Sequence, residues 1–185
     1  MEAQSYGFDP SFRHGALVHA TFQFGQDKDV LTNWNVIYSW SGKSAGFSPA
    51  SPPAVVFGLS QQLLSPLKHS PIQPIAIDWE PQSVYWRASR IQVVQLALFL
   101  GYVTRGMHAI GFPVVYLTPT DIRKFARLKN RQAEKIETHD WFCSQVDVSR
   151  YSTFLTGKNT DFMDATILAY VVSRSLSQGA QSVNP

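Results

Sequence analysis

The sequence predicts an α/β fold in which a mixed five-stranded sheet, three antiparallel strands followed by two parallel ones, is flanked by helices. Three observations indicate it. Three strand-like runs separated by turn residues come first, later short apolar runs alternate with helical patterns, and 185 residues suffice for one hydrophobic core. We therefore expect one domain over residues 1–178 and a flexible tail over 179–185.

The first part of the chain is predicted to form an antiparallel meander. Its three strands are "SYGFD", "GALVHATFQF" and "LTNWNVIYSW", which are rich in aromatic and branched residues. A loop rich in Gly, Ser and Pro follows, and "AVVFGLSQQLLSPLK" then has the apolar spacing of a helix that ends near Pro66.

The second part alternates strands with helices. The runs "PIAID" and "FPVVYL" are predicted to be strands buried on both faces, and "RIQVVQLALFLGYVTRGMHAIG" a long helix that ends at Gly111. After "TPTD", a turn or helix cap, we expect a helix over "AEKIETHDWFCSQV" and a last helix from Asp161 to about Ser177. Strands that alternate with helices favour parallel pairing.

The sequence favours a cytoplasmic protein with no membrane partner. Its longest apolar run, "VVQLALFLGYV", is about half of the ~20 residues that span a bilayer, and the N-terminus has no signal-peptide pattern. With Cys143 as its single cysteine, the chain forms no intrachain disulfide, which suits a reducing compartment.

Positive charge is concentrated in one segment, although the net charge is only +3. The segment "RKFARLKNRQAEK" contains Arg123, Lys124, Arg127, Lys129, Arg131 and Lys135. Such a run indicates either a polyanionic partner or a solvated helix face.

Four aspartates fall where predicted elements begin or end. Asp9 and Asp78 each close an apolar strand, while Asp161 and Asp164 are three residues apart at the start of the last helix and therefore share one helix face. Each has a structural interpretation, as a turn cap or as favourable charge at a helix N-terminus. However, a carboxylate buried beside another requires a compensating positive group. Carboxylates without cysteine ligands suit Mg²⁺ or Mn²⁺, and two such ions about 4 Å apart can promote phosphodiester hydrolysis.

The order of these motifs resembles the RuvC family of Holliday-junction resolvases, nucleases of the ribonuclease H-like fold. "GFDPSFRHGAL" resembles the family's first strand, "IAIDW" its fourth strand, and "DFMDATILAYVV" its terminal helix. The family's two lysines, eleven residues apart, match Lys124 and the Lys135 of "AEK". The resemblance extends from about Tyr6 to Ser173, and the compact, divergent chain suggests a phage or viral member, which would act in the host cytoplasm.

The resemblance implies a catalytic site and a substrate. Asp9, Asp78, Asp161 and Asp164 would bind two Mg²⁺ ions, with Mn²⁺ able to substitute, and Lys135 would complete the catalytic set. A homodimer would make paired symmetric nicks in a four-way DNA junction and leave 5′-phosphate ends. DNA would be bound by Lys124, Arg123, Arg127, Lys129 and Arg131, with Tyr85 and Trp86 stacking on unpaired bases or packing at the rim.

The sequence departs from the family pattern at several positions. Asp78 replaces the usual Glu, so Glu80 is an alternative metal ligand, and "ARLKNR" replaces glycines between the two lysines. Pro81 occupies the place of an aromatic residue, for which Trp79, Tyr85 or Trp86 would substitute. The five histidines, which show no ligand spacing, are interpreted as structural: His14, His19, His69, His108 and His139.

Two alternative functions and the location of the dimer surface remain open. The same carboxylates would serve a ribonuclease H-like nuclease acting on RNA–DNA hybrids or other branched DNA. A non-catalytic nucleic-acid-binding domain of this fold would bind junctions without cutting them. The helix over residues 90–110 has more apolar residues than one core-facing stripe needs, so it forms either the dimer surface or a helix buried on both sides.

Overall fold

The structure is a computed structural model that describes residues 1–11, 14–42, 46, 48, 51–79, 90–128, 135–155 and 160–181, with backbone only for 90–92, 180 and 181. Its strands form one mixed sheet. Strand β1 (Glu2–Asp9) pairs antiparallel with β2 (His14–Gln23), which pairs antiparallel with β3 (Asp29–Ser41). On the other side of β1 lie β4 (Ile75–Asp78) and then β5 (Val114–Leu117), both in parallel. The predicted fold class is confirmed.

Two details of the sheet differ from the prediction. A sixth strand, β6 (Val146–Asp147), pairs in parallel with the start of β3 and gives the order β5-β4-β1-β2-β3-β6. A strand of two residues is too short to show the alternation of apolar and polar residues by which strands are predicted from sequence. The prediction that "FPVVYL" forms a strand buried on both faces is wrong, because β5 lies at the sheet edge with Tyr116 47% exposed. An apolar run does not distinguish a central strand from an edge strand.

The long helices follow the predicted pattern. They are α1 (Pro53–Leu67), α2 (Arg90–Ala109), α4 (Lys135–Gln145) and α6 (Asp161–Gln181). Gly111, just beyond α2, has a positive φ of 91°, as expected for a residue that ends a helix. The last helix runs beyond the predicted Ser177 to Gln181. Within the described residues, no helix combines the length and hydropathy of a membrane span.

Three short helical segments between residues 118 and 155, within the described part of the chain, were not predicted. Thr118 caps the first, α3 (Pro119–Phe125): its side-chain oxygen accepts a hydrogen bond from the Asp121 backbone, while the Asp121 carboxylate accepts one from the Thr118 backbone. The "TPTD" motif is therefore a helix cap, and the helix that it starts contains Arg123 and Lys124. A 3₁₀ turn (Ser149–Tyr151) and α5 (Ser152–Leu155) follow β6.

Strand β1 divides its side chains between two cores. Tyr6 and Phe8 are buried in the core formed with α1 and α2. Residues 5, 7 and 9 point to the opposite face, because side chains alternate along a strand. On that face the Ser5 hydroxyl donates a hydrogen bond to the Ala169 carbonyl oxygen of α6 at 2.7 Å. Helix α6 therefore packs on the face to which Asp9 belongs.

The contact between β1 and α6 is made by small residues and is very close. A Cβ atom built on Gly7 would lie 1.7 Å from the carbonyl oxygen of Ala165, so only glycine fits there. The Ser5 and Ser173 hydroxyls, 2.8 Å apart, add a polar contact further along the helix. Since Gly7 is two residues from Asp9 and Ala165 follows Asp164, this approach brings the start of α6 to the end of β1.

Replacing Gly7 by alanine tests this contact. In Gly7→Ala the methyl group overlaps the Ala165 carbonyl, so strand and helix must separate. We expect the free energy of unfolding, measured by urea denaturation, to fall by about 3 kcal/mol or more. Gly58→Ala in α1 is the control: a Cβ there meets nothing within 4 Å, and alanine favours helix by up to about 1 kcal/mol. Equal stabilities of the two variants would contradict the conclusion that the Ala165 carbonyl leaves no room for a side chain at Gly7.

Candidate metal centre

Asp9 is the centre of an acidic cluster at the end of β1. Its side chain is 8% exposed and faces α6. The strand places it there because Tyr6 and Phe8, buried on the opposite face, determine which side the intervening residues take. Pro10, directly after it, lacks the backbone N–H that a continuing strand needs.

Asp161 and Asp164 meet Asp9 from the first turn of α6. The Asp164 backbone N–H donates to the Thr160 carbonyl oxygen at 2.9 Å, which starts the helix, and the spacing of three puts both carboxylates on one face. One carboxylate oxygen from each of Asp9, Asp161 and Asp164 lies within 4.8 Å of the other two. Three of the four aspartates singled out in the sequence are thus brought together.

Asp78 lies beside this cluster but does not join it. Asp78 ends β4, which runs parallel to β1 with Ile77 opposite Phe8. Asp78 and Asp9 therefore lie side by side at the carboxyl ends of two neighbouring strands. Its carboxylate is not part of the 4.8 Å group. The side chain is one methylene shorter than the Glu that the resemblance leads one to expect. Glu80, the alternative ligand, lies outside the described residues.

The cluster concentrates negative charge in a buried place. Burial, followed by the charges of Asp78, Asp164 and Asp161, raises the pKa of Asp9 well above its usual range, and Lys135 only partly opposes this. Burial also raises the pKa of Asp161. Carboxylates in this arrangement are stabilised as anions by a cation among them, and an all-oxygen donor set suits Mg²⁺ or Mn²⁺. The residues present therefore fit a hard divalent metal.

Lys135, the first residue of α4, makes an ion pair with the Oδ2 atom of Asp164. Burial acts to lower the pKa of Lys135, but its hydrogen bond to Asp164 and the charges of Asp164, Asp9 and Asp161 outweigh burial and raise this pKa. The lysine is therefore held as a cation. It remains 64% exposed, so it faces solvent on the open side of the cluster.

His139 is a member of the cluster that the sequence interpretation missed. Its Nε2 atom lies 2.7 Å from the Oδ1 atom of Asp164, and its side chain is 17% exposed. One signal was available: His139 lies four residues after Lys135, on the same face of a predicted helix. His14, also interpreted as structural, interacts electrostatically with Asp161 and acts to lower the pKa of that carboxyl group.

The other predicted nucleic-acid-binding residues lie on or just after α3, or outside the described part of the chain. Arg123 and Lys124 lie in the last turn of α3, and Arg127 follows that helix with a φ of 55°. Helix α3 packs against α6 through Ile122, beside Leu168. Four of the predicted residues are not among those described: Lys129, Arg131, Tyr85 and Trp86. Trp79, directly after Asp78, packs edge to face on Tyr116.

Comparison with solved structures identifies the fold. The chain is similar to RuvC of Thermus thermophilus, at 16% identity over 91% of both chains with a TM-score of 0.59. The T. thermophilus RuvC structure in complex with a Holliday junction substrate matches at 18% identity over 94% of both chains, TM-score 0.63. The yeast mitochondrial Holliday junction resolvase Ydc2 matches at 15% identity over 94% of this chain and 79% of that one, TM-score 0.61.

No family model and no curated protein sequence matches the chain. At identities below one fifth, the structural matches define the class of fold: the chain has the ribonuclease H-like fold of the RuvC resolvases.

The raised pKa of Asp9 predicts how stability depends on metal. A carboxyl group whose pKa is raised in the folded state stabilises that state while protonated, and this stability is lost as the pH rises from the ordinary pKa through the raised one. At neutral pH with a chelator, Asp9→Asn should therefore raise the free energy of unfolding, by about 1 kcal/mol or more. With Mg²⁺ at about 100 times its Kd, the wild type should gain about 2.7 kcal/mol and the variant much less.

Thermal melts with and without Mg²⁺ measure both effects. Asp27→Asn, in an exposed turn away from the cluster, controls for loss of one negative charge. A destabilised Asp9→Asn protein in chelator, or equal Mg²⁺ stabilisation of both proteins, would contradict a repulsive carboxylate cluster that binds metal.

Proposed function

We propose that the protein is a Mg²⁺-dependent endonuclease that resolves four-way DNA junctions, as required in DNA recombination and repair. The observation that carries this proposal is the convergence of Asp9, Asp161 and Asp164 within 4.8 Å. Support comes from the fold, which is shared with a RuvC whose structure was solved with a Holliday junction substrate. The membership of this chain in the RuvC family is part of the same proposal.

The acidic cluster would hold the metal and the phosphate. Asp9, Asp161 and Asp164, with Asp78 beside them, are the residues that would bind two Mg²⁺ ions, and Mn²⁺ suits the same oxygens. When bound, such ions supply positive charge that lowers the pKa of water and stabilises charge at the scissile phosphate. Hydrolysis of the bond between phosphorus and the 3′ oxygen leaves a 5′ phosphate.

Lys135 is the residue of α4 that we assign to the substrate. Its exposed ammonium group lies at the open side of the cluster, where it can exchange Asp164 for a phosphate oxygen. A cation there stabilises the negative charge that develops on the phosphate during hydrolysis. This role is catalytic, because the ammonium group would contact the reacting phosphate.

Arg123, Lys124 and Arg127 would bind the DNA arms. These side chains carry positive charge on and just after α3, which packs on the catalytic helix α6. Lys129 and Arg131 would extend the same basic segment along the chain. Contacts of this kind go mainly to phosphates, so they provide affinity and orientation with little dependence on sequence.

A homodimer through α2 would supply the second active site. Symmetric cleavage of a four-way junction requires two sites related by a twofold axis. Val94 on α2 is 55% exposed, and Phe57 on α1, 48% exposed, packs edge to face on Tyr102 of α2. A Cβ on Gly101 would meet nothing within 4 Å. These residues are apolar and lie on the side of the sheet opposite α6. A dimer through them would leave the acidic cluster of each protomer open to DNA.

The catalytic proposal is tested by cleavage with substituted aspartates. Asp161→Asn and Asp164→Asn should each reduce cutting of a synthetic four-way junction at least about 100-fold, because each removes a charged ligand from the metal site. Junction binding, measured by gel shift, should persist or tighten because negative charge facing the DNA is reduced.

Substrate choice is measured in the same assay. Four-way junction, flap, RNA–DNA hybrid and linear duplex are offered to the wild type with Mg²⁺ or Mn²⁺. Paired symmetric nicks on the junction support resolution, whereas equal cutting of hybrid or duplex supports a nuclease of other specificity. Binding without any cleavage would indicate a non-catalytic domain, and cleavage that survives both substitutions would refute the site assignment.

Charge placed on the α2 face tests the dimer. Val94→Glu should convert the dimer into a monomer, because two buried carboxylates would repel across the twofold axis. Light scattering after gel filtration reports the mass, and the junction assay should show single nicks in place of paired ones. Val36→Glu, at a 38% exposed position on β3, is the matched control and should leave the mass unchanged. A monomeric wild type, or a Val94→Glu variant that stays dimeric, would contradict this interface.

A further inference from the structure

Both carboxylate oxygens of Asp164 are contacted by one turn of α4. Lys135 pairs with Oδ2, and the Nε2 atom of His139 lies 2.7 Å from Oδ1. The two residues are four apart in the helix and therefore lie one above the other. An ionised carboxylate only accepts hydrogen bonds, so the proton of this contact is on Nε2 and His139 is the donor.

We propose that His139 is a positioning residue: its Nε2–H group holds the Asp164 carboxylate in the orientation that binds the divalent metal, without itself being a ligand. The proposal rests on the metal site of the proposed function. A carboxylate has about four acceptor sites on its two oxygens, so one hydrogen bond from α4 to each oxygen leaves an acceptor site on each. One Asp164 oxygen lies within 4.8 Å of a carboxylate oxygen of Asp9 and of Asp161, where a metal would be bound. Outer hydrogen-bond partners of this type commonly orient metal ligands.

Burial separates the role of His139 from that of Lys135. The lysine side chain is 64% exposed and is free to turn toward a phosphate, whereas the histidine side chain is 17% exposed. If Lys135 leaves Asp164 when DNA arrives, His139 is the partner that stays. The orientation of Asp164 is then preserved during the step in which it is needed.

His139 is not needed to attach α4 to the rest of the fold. That attachment is made by Phe142, which is fully buried, and by Trp141. The ring centroids of Phe142 and Trp141 lie 5.5 Å and 5.9 Å, respectively, from that of Tyr170 in α6. Removing the imidazole therefore leaves the apolar contact between α4 and α6 in place. We expect the consequence of a substitution to be local to Asp164.

Two amide substitutions separate hydrogen bonding from other effects. In His139→Gln the side-chain amide nitrogen reaches about as far as Nε2 and can donate to Asp164. In His139→Asn the same group is one methylene shorter and does not reach. Both variants are polar, and their helix propensities differ by only a few tenths of a kcal/mol. His69→Asn, at an exposed position after α1, controls for the loss of an imidazole elsewhere.

The first readout is metal binding without DNA. Mn²⁺ affinity, measured by electron paramagnetic resonance or calorimetry, should fall 10- to 100-fold in His139→Asn and stay within about threefold of the wild type in His139→Gln. Melting temperatures in chelator should be similar for all variants. The second readout is cleavage: in His139→Asn the Mg²⁺ concentration for half-maximal cutting should rise, while the maximal rate at saturating Mg²⁺ changes much less.

The outcomes separate this proposal from the proposed function. Wild-type Mn²⁺ affinity in His139→Asn, or an equal loss in His139→Gln, would overturn the positioning role. A wild type that binds Mn²⁺ through Asp9 but cuts no junction would refute the nuclease proposal while the affinity pattern still supports His139 as a positioning residue. A wild type that binds no Mn²⁺ would overturn both.

Discussion

The close approach of α6 to β1 is the constraint on which the site depends. At Gly7 the strand has no side chain, and the Ala165 carbonyl occupies the space that a Cβ would need. Ser5 continues the contact by donating to the Ala169 carbonyl oxygen. Because Asp9 lies just beyond Gly7 and Asp164 just before Ala165, the small residues at this interface determine how near the carboxylates come. A larger residue at Gly7 would therefore both weaken the fold and move Asp9 away from Asp161 and Asp164.

The carboxylates brought together in this way repel one another, and the surrounding structure offsets only part of that repulsion. Lys135 and His139 both contact Asp164, on its two oxygens, whereas the pKa of Asp9 remains raised by burial and by its acidic neighbours. The site is thus stable as a set of anions when a cation lies among them. This imbalance is the physical basis for our proposal that the cluster binds a divalent metal and hydrolyses phosphodiester bonds.

Much of the fold was predictable because residue patterns within short segments determine where its strands and helices form. Runs of aromatic and branched residues separated by turn residues predicted the meander, and long helical patterns, the first ending at Gly111, predicted α2 and α6. The errors arose where burial depends on neighbours distant in sequence. An apolar run such as that of β5 has the same composition in a central strand as in an edge strand, so the sequence did not predict its exposure. Strand β6 has two residues, which are too few to show alternating apolar and polar residues. Likewise, His139 lies 25 residues from the carboxylate that it contacts, so its spacing alone did not identify it.

By itself the sequence determined the chemistry that is available. It placed aspartates at two strand ends and two more on one face of a helix start, because these positions follow from alternation and helical period within short segments. Only the tertiary structure decided which of them meet. Carboxylate oxygens of Asp9, Asp161 and Asp164 come within 4.8 Å of one another, Asp78 is not part of that group, and His139 joins from α4. The physical reason is that these distances depend on how closely separate elements pack, which is decided by Gly7 and Ala165 and not by spacing along the chain.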